Sequence, residues 1–494
     1  MSLKRNILAN YASQFYVTAV GIIIVPFYIR YMGPEAYGLV GFFTVLQAFF
    51  NLLDLGLSQT VARESARYSG GDSNAVDFRR LVRALEGVFA SIAIAGAILL
   101  LALAEFISGY WLNASILPRT EIKISLQLMA IVVALRWMSG LYRGVISGAE
   151  QFVWLSSFNS LVATGRFILV LPILMFYSAS PSIFFSFQLG VSVLELAGIA
   201  FMAYRIMPSI PAGQTIRWQW APLKPILRFS LSIAFTSCVW ALVTQTDKLV
   251  LSKLLPLAEY GYFTVAVLVA GGLMVVSGPI STAILPRMAR LHAENRYDQL
   301  TEVYRHATQL VTVVVVPVTL ILVFFAPQVL WAWTGDANLV DKAAPALALY
   351  ALGYGILAIS AFQYYLQYAV GDLKLHLIGS AIFVMVLVPS LIWAASKHGM
   401  VGAGWAWLVC NGLYFIFWTP LVHRRFAPGL HASWMFSDVL KPALLPIFAV
   451  ILFEPYMLWS TSRAVLTGQL LCIAATLLTF AYLMASRVSK FNQK

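Results

Sequence analysis

Long apolar stretches recur along the whole chain, and the short loops between them carry most of the charged residues. A hydrocarbon core about 30 Å thick is crossed by about 20 helical residues. By this criterion the pattern predicts about fourteen transmembrane helices, with approximate limits 7–29, 37–58, 84–107, 124–148, 152–177, 182–204, 227–250, 260–285, 308–331, 344–369, 375–396, 400–422, 440–459 and 464–486.

The composition supports this pattern. Of the 494 residues, 60% are hydrophobic and 11% are charged, and the mean hydropathy is +0.81. Soluble domains are about one quarter charged. The chain is therefore predicted to be an all-α polytopic membrane protein, and a soluble enzyme, a disordered chain and a secreted disulfide scaffold are excluded. The first apolar run is longer than a signal-peptide core, so we interpret it as an uncleaved first span.

The net charge of +13 is distributed by topology. In a soluble protein such an excess would suggest nucleic-acid binding. Here two thirds of the 33 Lys and Arg residues fall in loops on one side of the predicted membrane, which favours topology signals and no nucleic-acid partner. The positive-inside rule places that side, and with it both termini, in the cytoplasm.

Two segments of the chain resemble each other. Residues 31–38 read YMGPEAYG and follow the first predicted span, and residues 254–261 read LLPLAEYG and follow the seventh. The same spacing carries Ala66-Arg67 onto Ala289-Arg290, which open the two most charged cytoplasmic loops. Six spans separate the two segments and both units begin in the cytoplasm, so the pattern predicts a parallel repeat.

The repeat predicts the organisation of the chain. Transporters are often built as two bundles around a central site. We expect an N-terminal six-helix lobe, a cytoplasmic linker, a C-terminal six-helix lobe and two additional transmembrane helices, over residues 1–206, 207–226, 227–425 and 426–494.

Seven charged residues fall inside or at the ends of predicted spans: Asp54, Arg136, Arg143, Arg166, Glu195, Asp247 and Lys248. A charge at the bilayer centre costs about 2.5–3.5 kcal/mol on the insertion scale, so such groups face the bundle interior or a wet cavity. Arg136 and Arg143 are seven residues apart and therefore share one helix face. With Arg166 on the next span they are predicted to form a cationic column.

Two interpretations of this column remain open. The arginines could bind an anionic substrate, or they could form buried ion pairs, such as Arg166 with Glu195 and Arg136 with Asp54. Three arginines against one glutamate near mid-depth leave positive charge that pairing does not neutralise. Asp54, Glu195, Asp247 and Lys248 are candidates for coupling or gating. Further polar residues that line a cavity or join helices are Asn10, Gln14, Asn51, Asn159, Gln188, Gln363, Gln367 and Asn411.

Backbone features of the spans are also predicted. Gly140, Gly144 and Gly148 form a stripe of small residues that allows close helix approach. Proline inside a helix removes one backbone hydrogen bond and bends it. Pro26 and Pro172 lie in or at the edge of spans in this way.

The chain shows no signature of a cofactor or metal site. It contains no Walker A sequence and no zinc-protease motif, and its six His residues lack metal-ligand spacing. The three cysteines, Cys238, Cys410 and Cys472, fall in apolar stretches, where they are expected as small core residues. We therefore predict no catalytic residue, no metal and no cofactor.

Several motifs resemble a known family, the polysaccharide (O-antigen-type, Wzx-like) flippases of the multidrug/oligosaccharidyl-lipid/polysaccharide exporter superfamily. The residues that carry the resemblance are Asn6, Ser13-Gln14, Ile24-Val25-Pro26, residues 31–39 (YMGPEAYGL), residues 53–57 (LDLGL), Thr246-Asp247-Lys248 and Glu259-Tyr260-Gly261. The resemblance covers the whole chain in topology. The predicted thirteenth and fourteenth spans resemble the lipid-linked peptidoglycan-precursor flippases.

The resemblance implies two six-helix lobes around a V-shaped cavity and alternating access. It implies a polyprenyl-diphosphate-linked oligosaccharide as substrate, moved from the cytoplasmic to the periplasmic leaflet of a bacterial inner membrane. It also implies glycosyltransferases and a polysaccharide polymerase as partners. On this interpretation Arg136, Arg143 and Arg166 bind the diphosphate.

Two other functions stay open at this point. A cation-coupled small-molecule exporter of the same superfamily would favour acidic groups in its cavity. A membrane glycosyltransferase or ligase would need a catalytic acid or base on an external loop, where no paired acidic motif occurs.

Overall fold

The computed structural model describes residues 3–71, 74–209, 218–220, 239, 241–457, 459–460 and 462–485. Most of the predicted linker 207–226, the beginning of the predicted seventh span, Cys238 and the basic C-terminal residues lie outside this set. Within it the chain is α-helical, and the described residues contain no β-strand beyond one isolated bridge between Asn113 and Pro256. The predicted all-α membrane fold is confirmed.

Backbone contacts divide the chain into two compact units, Met1–Gly261 and Tyr262–Lys494. The helices of the first unit are α1 Leu3–Ile23, α2 Val25–Met32, α3 Pro34–Leu52, α4 Leu57–Ser69, α5 Ala75–Phe106, α6 Arg119–Gly148, α7 Phe152–Ala163, α8 Val170–Phe176, α9 Pro181–Ile206 and α10 over 241–254. Single π-helical turns follow α5 at Ile107–Trp111 and α7 at Thr164–Ile168.

The second unit begins inside α11 Leu257–Ala293. Its further helices are α12 Tyr297–Phe324, α13 Ala326–Thr334, α14 Ala337–Ser360, α15 Phe362–Val370, α16 Lys374–Leu413, α17 Thr419–Phe426, α18 Leu430–Trp434, α19 Lys441–Phe453 and α20 Arg463–Met484. π-Helical turns at Tyr414–Trp418 and Met435–Leu440 precede α17 and α19. The division into lobes at residues 206 and 227 stays a prediction.

Among the described residues, 11 helical segments are long and apolar enough to cross a membrane, or 12 if the bent pair α3–α4 counts as one. The segment Lys374–Phe426 has 53 residues, far more than one crossing needs. Its backbone leaves helical geometry at His398 and Gly399, between two predicted spans. The number fourteen stays a prediction.

The second predicted span, 37–58, differs from the observed helices. α3 ends at Leu52, and α4 starts at Leu57 at an angle of 56° to it. The turn between them holds Leu55 at φ 48° and Gly56 at φ 75°, a left-handed conformation that interrupts a helix. α4 then runs to Ser69, through the basic segment that the sequence placed in one of the two most charged predicted loops.

α6 is the centre of the first unit, because α4, α5 and α9 all pack on it. Its side chains Leu141, Val145 and Ile146 are fully buried. The predicted glycine stripe faces α4, where a Cβ added at Gly148 would lie 2.2 Å from the carbonyl oxygen of Ala62. The stripe therefore allows the close helix approach that the sequence predicted.

The two Tyr-Gly segments meet in the first unit. A Cβ added at Gly38 would lie 2.3 Å from the carbonyl oxygen of Leu257, and one added at Gly261 would lie 2.4 Å from that of Pro34. The contact is reciprocal and involves backbone on both sides. Only glycine allows the two helix starts to cross at this distance.

In the second unit α12 packs on α14, α19 and α20. The last two helices join the unit through a core cluster that includes Leu320, Phe325, Val450 and Leu477. The predicted thirteenth and fourteenth spans thus correspond to a hairpin that is packed on its own unit.

Candidate functional site

α9 carries the polar face on which the candidate site is built. The helix starts at Pro181, and the hydroxyl of Ser180 before it accepts a hydrogen bond from the N–H of Ile183. Serine as the capping residue followed by proline is a strong helix start. Further along, Gln188, Ser192 and Glu195 are spaced i, i+4 and i+7, so all three side chains lie on one face. They are all buried.

Arg136 of α6 binds this face through neutral groups only. Its guanidinium donates to Gln188 Oε1 at 2.6 Å, to Ser192 Oγ at 3.2 Å and to Gln47 Oε1 of α3 at 3.3 Å. Its Cζ also lies 4.9 Å from the centre of the Phe43 ring. In the described part of the chain Arg136 has no carboxylate partner.

Arg143 lies seven residues, or about two turns, after Arg136 on α6. It binds the other end of the same α9 face. Its Nη2 lies 2.6 Å from Glu195 Oε1, and its Nη1 donates to Asn159 of α7. The shared face predicted for Arg136 and Arg143 is confirmed, because both side chains bind α9.

Arg166 lies in the π-helical turn Thr164–Ile168 and pairs with the second carboxylate oxygen of Glu195. Pro172 explains the irregular helix here, since it has no N–H for the carbonyl of Ile168. The carbonyl of Arg166 accepts a hydrogen bond of 2.8 Å from Gln188 Nε2. Gln188 therefore links Arg136 to Arg166. The π-helical turn that holds Arg166 is itself a feature that is frequent at functional sites.

The structure thus brings together four of the seven predicted charges in what we name the arginine cluster, formed by Arg136, Arg143, Arg166 and Glu195. Glu195 is only 3% exposed and pairs with two guanidinium groups. Three positive charges meet one negative charge. The predicted Arg166–Glu195 ion pair forms, and part of the positive charge is not neutralised within the cluster.

The predicted Arg136–Asp54 pair does not form. Asp54 lies in the turn between α3 and α4, where its carboxylate accepts a 2.6 Å hydrogen bond from Ser58 Oγ and a longer one from the Ser58 N–H. The reason is the broken helix, which places Asp54 in the turn three residues before α4. There its carboxylate binds an N–H group of the first turn of α4.

Asp247 and Lys248 of α10 also lie apart from the arginine cluster. The ammonium of Lys248 is 3.5 Å from Asp247 Oδ1 and donates to the carbonyl of Thr244. Asp247 is 1% exposed. These two residues form their own local pair, and in the described residues neither makes a hydrogen bond or ion pair to the three arginines.

Two members of the site, Gln47 and Ser192, were not predicted. Each is a polar residue within an apolar helix, and Ser192 completes the i, i+4, i+7 spacing with Gln188 and Glu195. That spacing was a usable signal. Gln47 had no such signal in the sequence, because its partner Arg136 lies on a helix that is far away along the chain.

The described residues hold no cluster of three or more His, Cys, Asp or Glu side chains able to bind a metal ion. One acid outside the cluster, Glu35, has backbone partners. The buried carboxylate of Glu35 accepts hydrogen bonds from the backbone N–H groups of Ser115, Ile116 and Leu117. It therefore fixes a loop.

Comparison with known proteins gives consistent results. The model of the "Polysaccharide biosynthesis protein" family matches residues 3–292, and the MatE family model matches residues 232–393. A putative O-antigen transporter of Shigella flexneri is 20% identical over 409 residues, which cover 83% of this chain and 95% of that protein.

Solved structures share the fold. The lipid II flippase MurJ in an inward closed conformation has a TM-score of 0.76 at 15% identity and covers 99% of both chains. An inward-facing multidrug resistance MATE transporter of the MOP superfamily has a TM-score of 0.65 at 15% identity, over 83% of this chain and 96% of that one. Because its family model matches more than half of the sequence, the chain belongs to the polysaccharide biosynthesis protein family.

Proposed function

We propose that this membrane protein is a flippase that moves a polyprenyl-diphosphate-linked oligosaccharide from the cytoplasmic to the periplasmic leaflet by alternating access. The observation that carries the proposal is the uncompensated charge of the arginine cluster. Among the described residues Arg136 is bound by neutral partners only, and Arg143 and Arg166 share one carboxylate. The family membership and the names of the O-antigen and lipid II relatives support the same conclusion.

A diphosphate fits this charge distribution. It is an anion that does not enter bare hydrocarbon, and planar guanidinium groups bind phosphate oxygens with two parallel hydrogen bonds. At Arg136 a diphosphate would not have to displace a carboxylate of the described residues, because the partners of this arginine there are neutral. At Arg143 and Arg166 a diphosphate competes with Glu195 for the same N–H groups, so substrate binding and ion-pair exchange are coupled there.

The remaining polar residues have proposed roles in coupling or gating. Glu195 is the acid that substrate displaces, the Asp247–Lys248 pair lies within α10, and Asp54 lies in the turn before α4. Outward movement of anionic charge is favoured by an inside-negative membrane potential, by about 2.3 kcal/mol per charge for each 100 mV.

The cellular setting is part of the proposal. The concentration of Lys and Arg on one side supports cytoplasmic termini in a bacterial inner membrane. Glycosyltransferases that build the lipid-linked glycan would act before this protein, and a polysaccharide polymerase would act after it. Both are proposed as partners.

One observation favours a second function, a cation-coupled exporter of small molecules. The MatE model matches residues 232–393, and a MATE transporter shares the fold. Its substrate would be cationic and would require acidic groups in the cavity. The excess of arginine around Glu195 makes this function the weaker of the two.

The test is transport by purified protein in sealed proteoliposomes, with a fluorescent polyprenyl-diphosphate sugar on one side and an imposed potential or pH gradient. The proposal expects protein-dependent translocation of this lipid and none of a fluorescent organic cation. Translocation of the cation alone would establish the exporter instead.

A further inference from the structure

An apolar groove runs along the first unit between α9 and the segment formed by α7 and the π-helical turn after it. Its volume is about 810 Å³, within the range of ligand sites in proteins. Phe158, Leu161 and Leu169 line one wall, and Phe187 and Leu194 line the other. Leu161 and Leu194 are both largely exposed. Exposed apolar side chains of this kind are expected where a membrane protein faces lipid.

Glycine makes the groove wide at its middle. Gly190 of α9 has no atom within 4 Å of the position that a Cβ would take, and Gly165 on the facing wall meets only the side chain of Val191. These two positions leave space between the helices. A larger residue at Gly190 would fill the groove without contact with backbone.

The groove ends at a charge. Glu195 is part of its lining, and the carboxylate of this residue binds Arg143 and Arg166. Buried ionisable groups are rare beside lipid and mark functional positions. The groove therefore combines apolar walls with the carboxylate of Glu195, and it adjoins the arginine cluster through this residue, whose two oxygens are bound by Arg143 and Arg166.

This combination selects an amphiphile in which an anionic group is directly attached to hydrocarbon. We propose that the groove holds the first isoprenoid units of the substrate lipid, with the attached diphosphate at Arg143 and Arg166. The inference rests on the proposed function and adds the position of the tail. Because the surrounding lipid tails are as apolar as the groove, binding there gains no free energy from transfer out of water. The groove contributes to substrate binding through its shape and by orienting the tail.

The experiment uses the full chain in proteoliposomes and a polyprenyl diphosphate with a photoreactive diazirine on the first isoprenoid unit. After irradiation, mass spectrometry locates the adduct. The proposal expects adducts within residues 186–194, and expects them to be lost when unlabelled polyprenyl diphosphate is added in excess. A phospholipid with the same diazirine in its tail controls for ordinary lipid contact.

Two variants distinguish an effect of filling the groove from a general effect of a new phenylalanine on the fold. Gly190→Phe fills the groove and is expected to remove the adduct and slow flipping. Gly468→Phe on α20 is the matched control, since Gly468 also has nothing within 4 Å of a Cβ, and it is expected to leave both unchanged.

Three results would overturn the inference. Equal labelling by the phospholipid without competition would make the groove an ordinary lipid contact. Adducts at other sites, with wild-type flipping intact, would place the tail elsewhere and leave the flippase function standing. Absence of flipping by the wild-type protein would remove the proposed function itself.

Discussion

Glu195 Oε1 lies 2.6 Å from Arg143 Nη2, and the other carboxylate oxygen of Glu195 pairs with Arg166. One buried acid therefore holds two guanidinium groups from two different helices. It supports the cluster, and under the proposed function it is the group that an anionic substrate would displace.

Glu195→Gln should destabilise the protein and increase its response to diphosphate. Removal of one partner of a buried ion pair costs about 3–5 kcal/mol. Thermal unfolding in detergent should therefore begin at lower temperature. Added inorganic pyrophosphate should raise the unfolding temperature of the variant more than that of the wild type, because no carboxylate competes for Arg143 and Arg166. Equal responses would contradict the proposed competition.

Gln188→Glu should weaken diphosphate binding, and it also removes the hydrogen bond that Gln188 Nε2 donates to the carbonyl of Arg166. Gln188 Oε1 accepts from Arg136 at 2.6 Å, so a carboxylate there would pair with this arginine and lower the positive charge of the cluster. The expected effect is a loss of affinity of about tenfold or more, since a charge-assisted hydrogen bond contributes about 1.5–3 kcal/mol. Calorimetric titration with a short-chain prenyl diphosphate measures it. Unchanged affinity would show that Arg136 is not used.

Gly148→Ala should destabilise the first unit, whereas Gly412→Ala should not. The new Cβ at Gly148 would lie 2.2 Å from the carbonyl of Ala62, and overpacking of this kind costs about 1–3 kcal/mol. The control position Gly412 has nothing within 4 Å, and alanine there should stabilise its helix slightly. Unfolding temperatures of the two variants in the same detergent decide the matter, and similar values would be inconsistent with the tight α4–α6 contact.

Asp438→Asn should loosen the C-terminal hairpin. Asp438 is fully buried in the π-helical turn before α19, where it accepts a 2.5 Å hydrogen bond from Arg305 Nε of α12. Loss of the buried charge should cost about 3–5 kcal/mol and expose α19 to limited proteolysis. Asp372→Asn, which removes the charge of a partly exposed partner of Arg425, is the control and should change little. Equal protease resistance of both variants would refute this role.

The sequence predicted the membrane fold, the shared face of Arg136 and Arg143 and the glycine stripe, because each follows from helical period and residue size along one helix. It did not predict the break at residues 53–56, which depends on the left-handed backbone of Leu55 and Gly56. It also missed the contact of Gln47 with Arg136. Such contacts depend on which helices become neighbours, and periodicity along one helix contains no information on that.

The central claim is that the uncompensated arginine of this cluster recognises the diphosphate. The most direct measurement is the initial rate of polyprenyl-diphosphate sugar flipping in proteoliposomes by Arg136→Ala, beside wild type and Asp372→Asn at equal protein content. We expect Arg136→Ala to flip the lipid at least about tenfold more slowly than wild type, because it removes a charge-assisted contact to the substrate, and we expect an unchanged rate for the control. A wild-type rate in Arg136→Ala would show that Arg136 has a structural role only and would contradict the account.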